Sequence, residues 1–244
     1  MRSFMKLTRI EGRLLLRDPT TLFIGLLLPA ALLVGLGAVP VLREVSDEFG
    51  GVRFIDYYAP SLLVMVVSVI GLTSMPSIVA TYRERGILRR MRITPMHPAA
   101  LLAAQLTVSL IASLVSALLI IATGRLVYDV PLPEHPLGFT AAFLLGMAAV
   151  YSLGLLVAAV APNGRAATGM AMVLFMVVMF FGGVYLPRFM LPDAIAEIGD
   201  YVPPSVQTLL DSWNGTAPSA LPLVIMGATT LVFGVLAARV FKWE

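Results

Sequence analysis

The stretch YYAPSLLVMVVSVIGLTSMPSIVA runs from Tyr57 to Ala80 without a single charged side chain. A helix needs about 20 mostly apolar residues to cross the hydrocarbon core of a bilayer. Its apolar residues are also continuous, whereas the strands of a membrane barrel alternate apolar and polar side chains. The stretch therefore predicts a membrane-spanning α-helix.

Five further apolar runs flank this stretch on both sides. The chain of 244 residues is 59% hydrophobic and 13% charged, whereas soluble domains are about 45–50% apolar and about 25% charged. We expect an all-α membrane protein in which residues 1–244 form a single transmembrane domain. The six predicted spans are Leu22–Leu42, Tyr57–Ala80, Ala99–Thr123, Leu137–Val160, Ala166–Leu186 and Ser219–Phe241.

The basic residues predict the orientation of the six spans. An even number of spans places both termini on one side, and 13 of the 17 Lys and Arg residues fall on that side. Cytoplasmic loops carry such an excess, so both termini are predicted to be cytoplasmic. The bias toward arginine and alanine is typical of a bacterial genome, which indicates a bacterial plasma membrane protein.

The N-terminal segment, residues 1–19, predicts a helix that lies in the membrane interface. At about 100° per residue, its four spaced basic residues fall on one stripe beside an apolar face. Asp18-Pro19 would end the helix, because proline disfavours helical geometry in the residue before it. A basic tag without regular structure is the alternative. The four residues are Lys6, Arg9, Arg13 and Arg17.

The segment between the second and third spans, residues 81–98, contains RERGILRRMRITPMHP. Taken as one helix over Tyr82–Arg92, it places Ile87, Leu88 and Met91 on one arc with Glu84 in the middle. Arginines surround that arc with no acid spaced to neutralise them, and like charges at such spacing cost a few tenths of a kcal/mol each. We therefore expect the segment to bind an acidic or phosphate-bearing surface, though not a nucleic acid. A basic loop that only sets the topology is the alternative.

Residues 187–218 predict a small extracellular hairpin before the last span. Asp193 is expected to cap a first short helix, and Pro203-Pro204 to open a second one. The hairpin can re-enter the outer leaflet or rest on its surface, and both readings stay open. The apolar stripe of the second helix is Val206, Leu209, Leu210 and Trp213.

The chain offers few groups that could carry chemistry. It has no cysteine, two histidines and two lysines, and no stretch matches a phosphate-binding loop. No ionisable residue lies in the middle of a predicted span, and such residues normally mark ion pathways. Gln105 and the span Ser and Thr residues are expected to serve helix packing. We predict no catalytic residue, no metal site and no cofactor in this chain.

Two stretches, YRERGILRRMRITPMHPAALLAAQL and FFGGVYLPRFMLPDAIAEIGDYVPPS, resemble the membrane subunits of type-2 ATP-binding-cassette exporters. That class includes bacterial drug and antibiotic export permeases. The resemblance implies that two permease chains pair, either identical copies or sister subunits. It also implies that each chain docks a separate cytoplasmic ATPase, which binds ATP and Mg and drives expulsion of a substrate.

The resemblance also implies roles for particular residues. Phe4–Arg17 corresponds to a connector helix, and the second and fifth spans would line the substrate path. Their apolar side chains suit a hydrophobic drug or a lipid-like molecule, unless they only pack or face lipid. The predicted sets are Glu84, Arg85, Gly86, Arg89, Arg90 and Arg92 for coupling to the ATPase; Asp193, Pro203, Pro204 and Trp213 for an extracellular gate; and Met65, Thr73, Phe175, Met179 and Phe180 for the path.

Two other functions remain as alternatives. One is a membrane-embedded lipid-processing enzyme or assembly factor, which would need converging polar residues near an interface. The other is an ion-coupled secondary transporter, which the uncharged span centres disfavour.

Overall fold

The computed structural model describes residues 2–46, 51–91, 98–185 and 190–241. Of these described residues, 82% are helical. Its described strands, β1 (Val45–Ser46) and β2 (Val52–Arg53), form one short antiparallel pair. The described helices are α1 (Arg2–Arg17), α2 (Pro19–Gly37), α3 (Phe54–Glu84), α4 (Ile87–Met91), α5 (Pro98–Tyr128), α6 (Pro136–Val160), α7 (Gly164–Phe181), α8 (Asp193–Asp200), α9 (Val206–Trp213) and α10 (Ala220–Val240).

Six of the described helices are long and apolar enough to cross a membrane: α2, α3, α5, α6, α7 and α10. The prediction of an all-α membrane protein with six spans is confirmed. The predicted bounds differ at some ends, and the fifth span is the clearest case. It stops at Phe181 instead of Leu186, because Gly183 takes up φ +75°, a left-handed conformation that ends the helical path. Leu186 itself lies outside the described residues.

The second span, α3, runs through the centre of the bundle. Leu62, Leu63 and Leu72 are completely buried in the main core, with helices packed on several sides. Gly71 and Gly154 allow α3 and α6 to touch backbone to backbone, since a Cβ atom on Gly154 would lie 2.0 Å from the Gly71 carbonyl oxygen. Small residues at such a crossing let two helices pack closely in a membrane.

Hydroxyl side chains on α5 hold neighbouring spans, as expected for polar residues in spans. The Ser116 hydroxyl donates to the Leu26 carbonyl at 2.9 Å, within a stretch of α2 that has π-helical geometry. The Tyr151 hydroxyl of α6 donates to the Ser109 carbonyl at 2.9 Å and lies 2.8 Å from the Ser113 hydroxyl. These bonds satisfy polar groups away from water, as the bilayer interior requires.

We call the end of the bundle that carries α1 and α4 the α1 end, and the opposite end the far end. The hairpin of α8 and α9 lies at the far end. Ser205 caps α9, because its hydroxyl accepts from the Thr208 N–H at 3.3 Å. The prediction that Pro203-Pro204 opens this helix was wrong by one position, since serine supplies the cap that proline cannot.

The two helices of the hairpin differ in burial. All four residues of the predicted apolar stripe of α9 are buried. The Trp213 ring packs edge-to-face on Phe139 of α6, with the ring centroids 5.3 Å apart. Asp193 is exposed and is the first residue of α8, not its cap, because the position before the helix is Pro192. Helix α9 is therefore enclosed by the bundle, while its depth relative to a membrane stays a prediction.

Candidate functional site

The segment after the second span does not form the single helix that the sequence predicts. Helix α3 ends at Glu84, and α4 begins at Ile87. Between them Gly86 has φ +67°, and its N–H donates to the Arg83 carbonyl at 2.9 Å. This left-handed glycine is a common way to end a helix. The predicted helix over Tyr82–Arg92, and the arc drawn on it, are therefore wrong because the helical phase is lost at Gly86.

Helix α4 lies against α1 and α5 through the buried Leu88 and the partly buried Ile87. Leu88 has 0% exposure and packs with Leu7 of α1 and with Leu101 and Ala104 of α5. The arginines at this point are exposed, and none forms an ion pair with another described residue. Arg92 lies outside the described residues. The exposed, unpaired arginines are Arg85, Arg89 and Arg90.

The last two residues of α3 hold the loop between α6 and α7. The Arg83 guanidinium donates from Nη1 to the Ala159 carbonyl at 3.0 Å, near the end of α6. The Glu84 carboxylate accepts through Oε2 from the Gly164 N–H at 3.0 Å, at the first residue of α7. We call these four residues the clamp. Glu84 is predicted to face a partner, but its carboxylate is bound within its own chain.

The clamp requires close packing around the first turn of α7. A Cβ atom on Gly164 would lie 2.5 Å from the Thr81 hydroxyl oxygen, so only glycine fits there without movement. Asn163 caps α7, since its Oδ1 accepts from the Ala166 N–H at 2.8 Å. One turn further on, the Thr168 hydroxyl donates to the Ser77 hydroxyl at 3.2 Å. Helices α3 and α7 are therefore joined by polar contacts at the α1 end.

Sequence reasoning did not assign the clamp partners. Arg83 entered only as one of the basic residues, and the Asn163-Gly164 pair was not read as a helix start. An asparagine before a new apolar run is a recognised cap signal, so Asn163 could have been found. The partner of Glu84 could not, because the two bonded residues are 80 positions apart.

Helix α1 carries its basic stripe as predicted. Lys6, Arg9, Arg13 and Arg17 are all exposed. The opposite side of the helix packs on the bundle through Leu7, which is buried. The N-terminal segment is therefore a helix and not an unstructured tag. The position of this helix in a membrane interface stays a prediction.

A buried acid lies in the middle of the packed face of α1. Glu11 is only 5% exposed. The Tyr82 hydroxyl of α3 donates to both of its carboxylate oxygens, at 2.9 and 3.1 Å. Burial raises the pKa of the Glu11 carboxyl above its ordinary value, although the hydrogen bond from Tyr82 opposes that shift. Sequence reasoning missed Glu11, even though a helical wheel places it at the centre of the apolar face.

Comparison with known families identifies the protein class. The sequence profile of the ABC-2 type transporter family matches residues 2–205 of the 244. The chain belongs to the ABC-2 type transporter family. A search of curated protein sequences finds no match. The family match includes α1, the clamp and α4, and it stops just before α9 and α10.

Membership makes this chain the membrane permease of an ABC transporter, and so a transport protein. Among the described residues, no group of three or more His, Cys, Asp or Glu could hold a metal ion. His135 is occupied within the fold, since its Nδ1 accepts from the Gly138 N–H at 3.0 Å and so caps α6.

The predicted path residues of this ABC-2 permease do not share one face. Phe175 and Met179 of α7 are 8% and 0% exposed and belong to the core of their own chain. Met65 and Thr73 of α3 are half-buried, and Phe180 is exposed. Phe175 and Met179 lie on the side of α7 that packs within the chain, and their role in a substrate path stays a prediction. The uncovered side of α7 presents Met172, Val173, Met176, Val177 and Phe180.

Proposed function

We propose that this ABC-2 permease forms half of an exporter, paired with a second permease chain and driven by a separate cytoplasmic ATPase that binds ATP and Mg. The substrate is a hydrophobic drug or a lipid-like molecule, and export of this kind would give resistance to antibiotics. The complex resides in a bacterial plasma membrane, with the α1 end of the bundle in the cytoplasm. Family membership supports the ATPase partner, and the positive-inside pattern supports the orientation.

The observation that carries the proposal is the arrangement of α4. Its buried side chain Leu88 fixes the helix to the bundle and leaves Arg89 and Arg90 exposed. Together with Arg85 they form a positive surface, and none of the three forms an ion pair with a described acid. An acidic patch on a partner would neutralise these exposed charges and gain directional hydrogen bonds from the guanidinium groups. Docking of an ATPase requires such an exposed surface that is fixed to the bundle and complementary in charge to the partner.

The clamp supplies a route for force from α4 to the spans. A displacement of α4 is passed through the short turn at Gly86 to the end of α3. There Arg83 and Glu84 are bonded to the ends of α6 and α7. Helices α3 and α7 would therefore move together when the ATPase changes shape. Glu84 thus acts as a positioning residue in this proposal and not as a contact to the partner.

The uncovered face of α7 supports pairing of two permeases around the path. It presents Met172, Met176 and Phe180, whose soft and adaptable side chains suit contacts with varied apolar molecules. In place of Phe175 and Met179, we propose these residues for the lining contributed by the fifth span.

The docking proposal is tested by co-expressing the chain with an ABC ATPase encoded next to it. Arg89→Glu reverses the charge of the positive surface and is expected to reduce co-purification of the ATPase by about tenfold or more. Arg125→Glu is the matched control, because Arg125 is equally exposed but lies near the far end of α5. Substrate efflux from cells should fall in parallel with co-purification.

Normal assembly and efflux of the Arg89→Glu complex would contradict this docking surface. Transport by the permease alone in vesicles, driven by an ion gradient without ATP, would contradict the whole proposal and favour a secondary transporter.

A further inference from the structure

A cavity of about 420 Å³ lies at the α1 end, between α1 and the ends of α2, α3 and α5. Its wall combines two acidic side chains and one arginine with hydroxyl, amide and aliphatic groups. None of the four clamp residues lines the cavity, although Thr81 borders both the cavity and Gly164 of the clamp. The lining residues that carry the argument are Glu11, Asp18, Tyr82, Arg85 and Gln105.

Glu11 is the most deeply buried acid of this wall. Its only hydrogen-bond donor among the described residues is the neutral Tyr82 hydroxyl, and no described cation forms an ion pair with it. A buried carboxylate without a cation is costly, so such a group either stays protonated or binds a positive charge. A cation that entered the cavity would find this carboxylate without an ion pair to any described residue.

Gln105 is a second polar group without a partner in this wall. Its side chain is on α5, is 3% exposed and makes no hydrogen bond to any described residue. Buried amides are nearly always hydrogen-bonded. An amide that faces a cavity in this state is therefore available to a ligand. Its carbonyl oxygen and the Glu11 carboxylate together offer acceptors for an N–H-bearing cation.

The other two charges of the cavity differ in availability. Asp18 is already used by the protein, since its Oδ1 accepts from the N–H groups of Thr20 and Thr21 and caps α2. The hydrogen bond from the Thr21 side chain holds the pKa of Asp18 below its ordinary value, so this acid stays charged. Arg85 forms no ion pair with a described residue and can bind a phosphate.

The apolar part of the wall indicates what the cation is attached to. Leu14, Leu15 and Ile78 line the cavity beside the polar groups. Helix α1 has the amphipathic pattern of helices that lie at the headgroup level of a bilayer. A ligand with a charged head and an aliphatic chain fits both features.

We propose that this cavity binds the protonated primary amine of a membrane amphiphile, with Glu11 as its counter-ion and Gln105 as a hydrogen-bond acceptor. The aliphatic chain packs on Leu14, Leu15 and Ile78. Two sources share this chemistry: phosphatidylethanolamine, whose phosphate Arg85 would bind, and an amine-bearing amphiphile carried as cargo. The proposal does not depend on the ATPase partner or on export.

The test uses the full-length permease in nanodiscs that contain equal amounts of palmitoyl-oleoyl phosphatidylethanolamine and phosphatidylcholine. Native mass spectrometry of the released protein counts the lipids that stay bound. A primary ammonium donates hydrogen bonds and a choline cannot, so we expect about tenfold preference for the ethanolamine lipid. Glu11→Gln should bring the ratio close to one. Glu197→Gln, at an exposed acid of α8, should leave it unchanged.

The thermal stability of the same variants separates ligand loss from misfolding. Glu11→Gln removes a buried charge and keeps a polar acceptor for Tyr82, so the variant should melt no lower than the wild type when no amine lipid is present. Equal retention of the two lipids by the wild type would overturn the proposal. So would an unchanged lipid preference in a folded Glu11→Gln variant.

A second arm distinguishes the sources of the amine. Dodecylamine and dodecyltrimethylammonium are added to the permease in discs that contain only phosphatidylcholine. If dodecylamine binds, dodecyltrimethylammonium does not, and Glu11→Gln abolishes the binding, then a primary amine on any aliphatic chain suffices. An amine-bearing cargo molecule would then also bind. The lipid headgroup would be identified as the ligand by three results together. The permease prefers the ethanolamine lipid, it does not bind dodecylamine, and Arg85→Gln weakens the lipid preference.

Discussion

At the residue scale, two adjacent side chains of opposite charge at the end of α3 hold two different helices. Arg83 donates to a carbonyl near the end of α6, and Glu84 accepts from the first N–H of α7. A helix carries partial negative charge at its C-terminus and partial positive charge at its N-terminus. The positive Arg83 therefore binds the C-terminal end of α6, and the negative Glu84 binds the N-terminal end of α7, so each charge is stabilised by the helix end that it contacts.

Removal of the Glu84 acceptor should weaken the clamp without disturbing the spans. We expect Glu84→Ala to cost about 1 kcal/mol, the usual value of a helix N-terminal cap, and to lower Tm by a few degrees. Glu84→Gln keeps a side-chain oxygen for the Gly164 N–H and should stay near the wild type. Thermal unfolding of the isolated permease in detergent measures both. If both variants lost ATPase binding with an unchanged Tm, Glu84 would instead be a residue that contacts the ATPase directly.

Glu11 should make the docking of α1 depend on pH. Its pKa is raised above the ordinary 4.5 by burial, so its contribution to stability is complete below that value and is lost as pH rises through the raised pKa. The groups around it are Tyr82, Asp18, Arg85 and Gln105. In amine-free detergent, Tm should fall across this window for the wild type and stay flatter for Glu11→Gln. Parallel profiles for the two proteins would contradict this assignment.

At the element scale, the turn between α3 and α4 decides where the positive surface lies. In one continuous helix, the arginines would lie along the axis of α3, beyond its end and away from the bundle. The left-handed Gly86 instead redirects the chain so that Leu88 packs on α1 and α5. The turn is therefore the element that fixes α4 on the bundle.

Gly86→Ala tests this turn through backbone conformation alone. No atom lies within 4 Å of a Cβ placed on Gly86, so the variant meets no clash, but its φ of +67° should cost about 1 kcal/mol or more for alanine. Gly12→Ala in α1 is the matched control, because it has equal space and ordinary helical geometry, and should raise stability slightly. Tm should move in opposite directions for the two variants. A shift of the same sign in both would contradict a special role for the turn.

At the scale of the whole molecule, the bundle is organised around α3. Helix α3 contacts α6 through the Gly71 and Gly154 crossing, α9 at the far end and α7 at the α1 end. The clamp, the cavity and the enclosed helix α9 are all arranged on this one span. A movement of α3 would therefore displace the elements that pack on it at both ends of the permease.

Gly154→Ala should force α3 and α6 apart. The added Cβ would lie 2.0 Å from a backbone oxygen that cannot rotate away, and overpacking of this kind costs about 1–3 kcal/mol. Gly227→Ala on α10 has open space around it and should be close to neutral. Fluorescence-detected size-exclusion chromatography after heating compares the two. Equal thermal resistance of both variants would show that the crossing tolerates separation.

The spans and the amphipathic helices were predictable from local patterns. Runs of about 20 apolar residues have no other stable form in a membrane, so six spans follow directly. The basic stripe of α1 and the apolar stripe of α9 were also visible, because each contrasts polar with apolar residues along one short helix. The position of Glu11 on α1 was visible in the same way and was overlooked.

The sequence by itself determined the fold class, the number of spans, the amphipathic helices and the family, since these depend on length, composition and local periodicity. Only the tertiary structure decided which faces meet. The lipid-facing and core-facing sides of α7 are both apolar, so periodicity could not tell Phe175 and Met179 from Met172 and Met176. The clamp and the cavity join residues that are distant in the chain, and only packing brings them together.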